Sequence, residues 1–138
     1  MKPRSVCTAT AFSPRTLTLA LGCLLAAAGA QAQDKIRIGF ITDMSGLYSD
    51  VDGKGGALAV QMAVDDFGGK LLGKPIEVLT ADHQNKADIA ASKAREWFDT
   101  QGMSMLIGGT TSSAGLAMGK VADEKTKVYI INGAGTSA

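Results

Sequence analysis

From residue 34 onward, short apolar runs alternate with amphipathic stretches, a pattern that predicts a repeating strand–helix unit. Four apolar runs are predicted as strands, at residues 35–41, 75–81, 103–107 and 128–131. Three stretches with helical spacing are predicted as helices, at residues 57–67, about 85–101 and about 114–125. Strict alternation of this kind favours right-handed βαβ crossovers. The sequence therefore predicts an α/β fold whose parallel sheet carries helices on both faces.

Finer features of the pattern predict core positions and element ends. The first helix should carry Val60, Val64 and Phe67 on one face, and a glycine-rich loop over residues 43–56 should precede it. The motif Asn85-x-x-Asp88 predicts a capped start for the second helix. Its core side should carry four apolar residues, Ile89, Ala94, Trp97 and Phe98.

Residues 1–32 have the three parts of a signal peptide: a basic start, an apolar run at residues 17–28 and an Ala30-Gln31-Ala32 cleavage site. The apolar run is too short for the roughly 20 residues of a membrane-spanning helix. Cleavage would leave a chain that begins near Gln33 in the periplasm. Both cysteines lie in this leader. Cys23 hints at lipoprotein processing, but Leu21 fits that signal poorly, so a cleavable leader is favoured.

The remaining composition excludes several functions. Residues 33–138 hold 11 basic and 13 acidic side chains, a formal charge of about −2, and no basic stripe. No nucleic-acid partner is therefore expected. A dinucleotide-binding enzyme is disfavoured because no GxGxxG motif follows the first strand. A lone histidine, His83, makes no triad or zinc site, and the acids at residues 50–52 are interpreted as solvated loop acids rather than calcium ligands. No cofactor or metal is expected.

Small and hydroxylated residues follow two of the predicted strands, at residues 109–113 and 132–137. The carboxyl ends of parallel strands share one edge of the sheet, where ligands bind in open α/β folds. A loop of this composition before a helix offers free N–H groups, hydroxyls and the positive end of the helix dipole, so it suits a carboxylate. The alternative for Ser113 alone is that it caps its helix.

The order IRIGFITDMSG, GALAVQMAVDDFGG, KPIEVLTADHQ, MLIGGTTSSAG and VYIINGAGTSA strongly resembles periplasmic binding proteins of the branched-chain amino-acid transport family. The resemblance implies a non-enzymatic protein with two lobes, which close on a small ligand and deliver it to the membrane permease of an ABC transporter. The same architecture also serves in ligand-sensing receptors, which is the alternative role. Residues 33–138 would then be an incomplete N-terminal lobe, ending at an uncovered edge strand, Val128–Ile131.

The resemblance also implies site residues. Ser112 occupies the position of a serine that contacts the ligand carboxylate, and Ser113 is its neighbour. Ala134 stands where a backbone carbonyl accepts from the ligand ammonium, and Thr136 where a threonine contacts the ligand backbone. Tyr48 is a candidate aromatic wall, although the loop that holds it departs from the family pattern. The identity of the solute stays open.

Overall fold

The predicted strand–helix alternation is present in residues 34–136, the part of the chain that the computed structural model describes. The predictions for the leader, including both cysteines, and for Ser137 lie outside these residues. The described elements, in chain order, are β1 (Ile36–Thr42), α1 (Gly53–Asp66), β2 (Lys70–Leu71), β3 (Lys74–Asp82), α2 (Ala87–Thr100), β4 (Met103–Gly108), α3 (Ser112–Glu124) and β5 (Val128–Ile131).

The strands form one sheet in the order β2-β3-β1-β4-β5. Strand β1 pairs in parallel with β3 on one side and with β4 on the other, and β4 pairs in parallel with β5. Among the described residues β5 is therefore an edge strand, as predicted. The helices lie on both faces of this sheet, so the predicted fold class is confirmed. None of the described helices combines the length and the apolar character that crossing a bilayer requires.

The sequence pattern missed one strand, β2, which forms a hairpin with β3 and makes that edge of the sheet antiparallel. Leu72 and Gly73 join the two strands with φ angles of +53° and +78°. Two consecutive positive φ angles are typical of a type I′ hairpin turn, which Asn-Gly or Asp-Gly usually marks. Leu72 is not a residue that signals such a turn, and a two-residue strand has no readable period.

One face of the sheet is covered by α2 and α3, and it holds the core cluster of the described residues. Trp97 from α2 and Leu106 from β4 meet over Gly39 of β1. A Cβ atom on Gly39 would lie 2.4 Å from Leu106 Cδ2, so glycine lets these side chains reach the strand. Ala94, Trp97 and Phe98 are buried, as predicted, whereas Ile89 is only partly buried.

Among residues 34–136 the other face is covered by α1 alone, and the cover is incomplete. Val60, Val64 and Phe67 share this face, as predicted, since all three line one cavity; Val64 is buried, Val60 is partly buried and Phe67 is 63% exposed. Phe67 follows the last residue of α1. An open apolar cavity of about 320 Å³ remains on this face; its lining residues are Ile38, Val60, Ala63, Val64, Phe67, Ile76, Met105 and Ile107.

Two predicted helix starts are also wrong. Helix α1 begins at Gly53, inside the segment interpreted as loop, because Gly56 lets the first turn pack on the Phe40 ring. Helix α2 begins at Ala87 after Lys86, and no side chain caps it. Asn85 does not cap the helix because it lies in a turn at φ +55°, and its N–H donates to His83 Nδ1.

Candidate ligand-binding site

The loop after β4 leaves the sheet at a position that only glycine can occupy. Gly108 has φ +134°, and a Cβ atom there would lie 2.0 Å from the carbonyl oxygen of Ile41. The N–H of Gly109 donates to that same oxygen at 3.1 Å. The backbone of this loop is thereby fixed against the end of β1, which sets the direction in which α3 begins.

Ser112 is the first residue of α3, and Thr111 is the extended residue before it. The Thr111 side chain does not cap the helix, and its buried Oγ1 has no hydrogen-bond partner among residues 34–136. Ser113 is the exposed second residue of α3, so the interpretation of Ser113 as the cap is wrong. The amino terminus of α3 therefore keeps its positive dipole end free of a capping side chain.

The loop after β5 packs directly on this helix start. A Cβ atom on Gly133 would lie 2.9 Å from Thr110 Cα, and one on Gly115 would lie 3.2 Å from Ala134 Cβ. A Cβ atom on Gly135 would lie 4.0 Å from Ser112 Oγ. Small residues on both sides thus bring Ser112 and Ala134 together, and the exposed Thr136 follows two residues later.

Tyr48 lies in the loop between β1 and α1, and the carboxylates of Asp43 and Asp82 hold that loop in place. Asp43, fully buried, accepts hydrogen bonds from the N–H groups of Gly46 (2.7 Å) and Tyr48 (3.0 Å). The Tyr48 residue itself is 37% exposed. The loop is ordered by its own acids, and it presents one aromatic side chain at the surface.

Asp82, at the end of β3, ties the same loop to the sheet. It accepts from the Met44 N–H at 2.9 Å, from the Ser45 hydroxyl and from the Gln84 N–H at 2.8 Å. Partial burial alone would raise the pKa of Asp82, but these hydrogen bonds stabilise its charged form and hold the pKa below its usual value.

Asp52 was interpreted as a solvated loop acid, and the structure contradicts this. Its Oδ1 accepts hydrogen bonds from the hydroxyls of Thr42 and Thr110, each at 2.5 Å, and its Oδ2 accepts from Asn132 Nδ2 at 3.0 Å. The two hydroxyls are also 2.6 Å from each other. A lone acid before a predicted helix normally signals a cap, so the sequence alone could not reveal these partners.

His83, the residue that follows β3, is fully buried. Its Nδ1 accepts from the Asn85 N–H, and its buried Nε2 has no partner among residues 34–136. Burial lowers the pKa of His83, although the nearby carboxylates of Asp43, Asp82 and Asp52 act in the opposite direction. Within the described part of the chain, no three histidine or acidic side chains are grouped as metal ligands would be.

A parallel α/β lobe with small, hydroxylated loops at the carboxyl ends of its strands is the architecture of a ligand-binding lobe. The family described as "Periplasmic binding protein" matches residues 35–138, and the chain belongs to this family. The family is one of transporter solute-binding proteins, which implies a location outside the cytoplasm. No curated protein matches the chain.

Solved structures agree with the family match. A periplasmic binding protein from Burkholderia mallei is 66% identical over 75% of this chain and 28% of its own, with a TM-score of 0.74. A branched-chain amino acid ABC transporter ligand-binding protein from Burkholderia xenovorans is 41% identical over 74% of this chain and 27% of its own, at 0.71. The substrate-binding protein LivJ of Streptococcus pneumoniae is 28% identical over 76% of this chain and 30% of its own, at 0.69. The chain therefore spans less than a third of each relative.

Proposed function

We propose that this chain supplies the N-terminal lobe of the substrate-binding component of an ABC importer. The protein captures an amino acid or a related small carboxylate between two lobes and catalyses no reaction. The observation that carries the proposal is the uncapped start of α3, where Ser112 lies beside the loop that holds Ala134 and Thr136. A ligand carboxylate suits this place because hydroxyl donors and a positive helix end meet there.

Two features complete the proposal for the whole protein. Residues 1–32 direct export and are removed, which leaves residues 33–138 as part of the first lobe in the periplasm. The membrane permease of the transporter is then the partner that accepts the ligand. The family match and the relatives' role in ABC transport support both features.

The proposed ligand class follows from the donors and from the relatives. The Streptococcus pneumoniae protein is solved in complex with isoleucine. A solute-binding protein from Rhodopseudomonas palustris, 25% identical over 75% of this chain, is solved in complex with 3,4-dihydroxybenzoic acid. The two ligands share a carboxylate and little else. The Ser112 side of the site fits that shared group, and the opposing lobe must then distinguish the rest of the ligand.

Magnitudes explain why a second lobe is required. Hydrogen bonds to a charged group contribute roughly 1.5–3 kcal/mol each, and a helix end adds about 0.3–1 kcal/mol. Micromolar binding needs about 8 kcal/mol after the costs of association are met. Two or three contacts on one open face fall short of this value, so residues 33–138 alone should bind leucine-type ligands only weakly.

Calorimetry with isoleucine and 3,4-dihydroxybenzoate tests the proposal on the complete polypeptide that carries residues 34–136. We expect micromolar or tighter binding of one of the two probes. Ser112→Ala should weaken it about tenfold or more, since one hydrogen bond to a charge is lost. Ser104→Ala, at an exposed serine near the amino end of β4, should change affinity less than threefold. Equal effects of the two substitutions, or no binding of either probe, would contradict the proposal.

A further inference from the structure

Asp52 occupies the position before α1, where an acidic side chain ordinarily accepts from the first N–H groups of the helix. It makes no such bond here. The carboxylate faces the sheet edge instead, and it accepts from one side chain near the end of each of three neighbouring strands: Thr42, the last residue of β1, Thr110 after β4 and Asn132 after β5.

The three partners stand at the roots of the candidate ligand loops. Thr110 lies two residues before Ser112, and Asn132 lies two residues before Ala134. Asp52 itself ends the loop that holds Tyr48. The partners differ in exposure: Thr42 is 0% and Thr110 5% exposed, whereas Asn132 lies at the surface. One carboxylate therefore joins three loops, through two buried hydroxyl groups and one exposed amide group.

The bond to Asn132 adds a polar tie at the start of the last loop, which also packs on Thr110 through Gly133. Among the described residues, Asn132 makes one other hydrogen bond, from its N–H to the Gly108 carbonyl oxygen at 3.3 Å, which is long for a backbone hydrogen bond. The Asn132 side chain adds a shorter, charge-assisted bond to Asp52. The Asp52–Asn132 pair and the Gly133 contact together set the distance between the Ser112 loop and the Ala134 loop.

We propose that Asp52 is a positioning residue for ligand binding, which holds the loops of Tyr48, Ser112 and Ala134 in one arrangement without contacting the ligand. This inference rests on the proposed function for the ligand itself. The hydrogen-bond chemistry of the pair allows a reciprocal test. An aspartate accepts from both threonines and from the asparagine. In D52N/N132D, the amide at position 52 offers its oxygen to the two threonines and its N–H to the carboxylate at position 132.

The test compares D52N, N132D and the exchange D52N/N132D in the complete polypeptide, with isoleucine and 3,4-dihydroxybenzoate as probes. D52N replaces the charge-assisted bond between the two residues with a neutral one, and N132D places two carboxylates opposite each other, so each should weaken binding about tenfold. The exchange should return the affinity to within about threefold of the parent. Asp50→Asn is the matched control, because Asp50 is exposed, lies two residues away and has no partner in the described residues. It should bind like the parent.

A second measurement does not depend on the ligand. Amide hydrogen exchange over residues 109–113 and 132–136 should be faster in D52N and N132D than in D50N, and slow again in the exchange variant. Failure of the parent to bind either probe, together with this exchange pattern, would reject the proposed function and retain the tie between the loops. An exchange variant as impaired as the single variants, or D52N indistinguishable from D50N, would reject the role of Asp52.

Discussion

The two faces of the sheet are very unequally covered. On the face of α2 and α3, Leu106 and Met118 are fully buried and Trp97 is 7% exposed. On the face of α1, Phe67 is 63% and Ile130 48% exposed, and an apolar cavity lies between helix and sheet. Two helices cover the first face, whereas one helix of the described residues covers the second. Strand composition alone does not reveal which face of a lobe is complete.

The largest expected effect separates the two faces directly. Trp97→Ala removes a buried aromatic side chain and should lower the free energy of unfolding by about 3–5 kcal/mol. Phe67→Ala removes an aromatic side chain of similar size that is mostly exposed, and should cost less than about 1 kcal/mol. Denaturant unfolding of both variants measures the difference. Similar losses for the two would show that the α1 face is packed as well as the other.

The next effect concerns an apolar stripe on the α1 face, which runs from the half-buried Met105 and Ile107 to the exposed Val128 and Ile130. Residues 33–138 produced alone should self-associate as concentration rises. Ile130→Lys should raise the concentration at which this begins about tenfold, because a charge enters the stripe. Light scattering measures it. The matched control is Thr126→Lys, which adds the same charge outside the strand. A chain that stays monomeric, or equal effects of the two lysines, would refute the prediction.

The smallest expected effect is the pH dependence of stability that His83 causes on the α2 and α3 face. The strand register pairs Ile41 with Ala81, and alternation then places His83 on the α2 and α3 side, where it is buried. Its pKa is lowered in the folded state from 6.5, so below that pH the unfolded chain binds the extra proton. Stability should therefore be complete above pH 6.5 and decline between pH 6.5 and 5.

Thermal melts from pH 7.5 to 5 measure this decline in the parent and in His83→Gln. His83 is the one histidine of the chain, and aspartates titrate mainly at lower pH, so the variant should lose most of the pH dependence. A parent whose melting temperature is constant over this range would contradict the buried, neutral state of His83. A variant with the same decline as the parent would assign the effect to another group.

Much of the fold could be predicted because it depends on periods that the sequence displays. The strand at Val128–Ile131 has the predicted bounds, and the buried positions of Ala94 and Trp97 follow from helical spacing. What failed depends on tertiary partners. Leu72 adopts a left-handed conformation because a hairpin closes there, and Asn85 does not cap α2 because it lies in a turn at φ +55°.

The candidate site was also predicted only in part. Small residues and hydroxyls at strand ends pointed to the loops of Ser112 and Ala134, which the structure brings together. The role of each residue toward a ligand stays a prediction. Asp52 and its partners were missed because Thr42, Thr110 and Asn132 are 10, 58 and 80 residues away from it along the chain. Only the folded sheet edge makes them neighbours.

Gly108 has a consequence for redesigning this loop. A Cβ atom on it would lie 2.0 Å from the Ile41 carbonyl oxygen, so any other residue would displace the strand end rather than alter the loop. Three to five residues further along, at 111–113, no glycine is present and the side chains can vary. A library that keeps Gly108 and randomises positions 111–113 would sample new solute preferences on an unchanged scaffold. A library that also randomises Gly108 would consist mostly of misfolded chains.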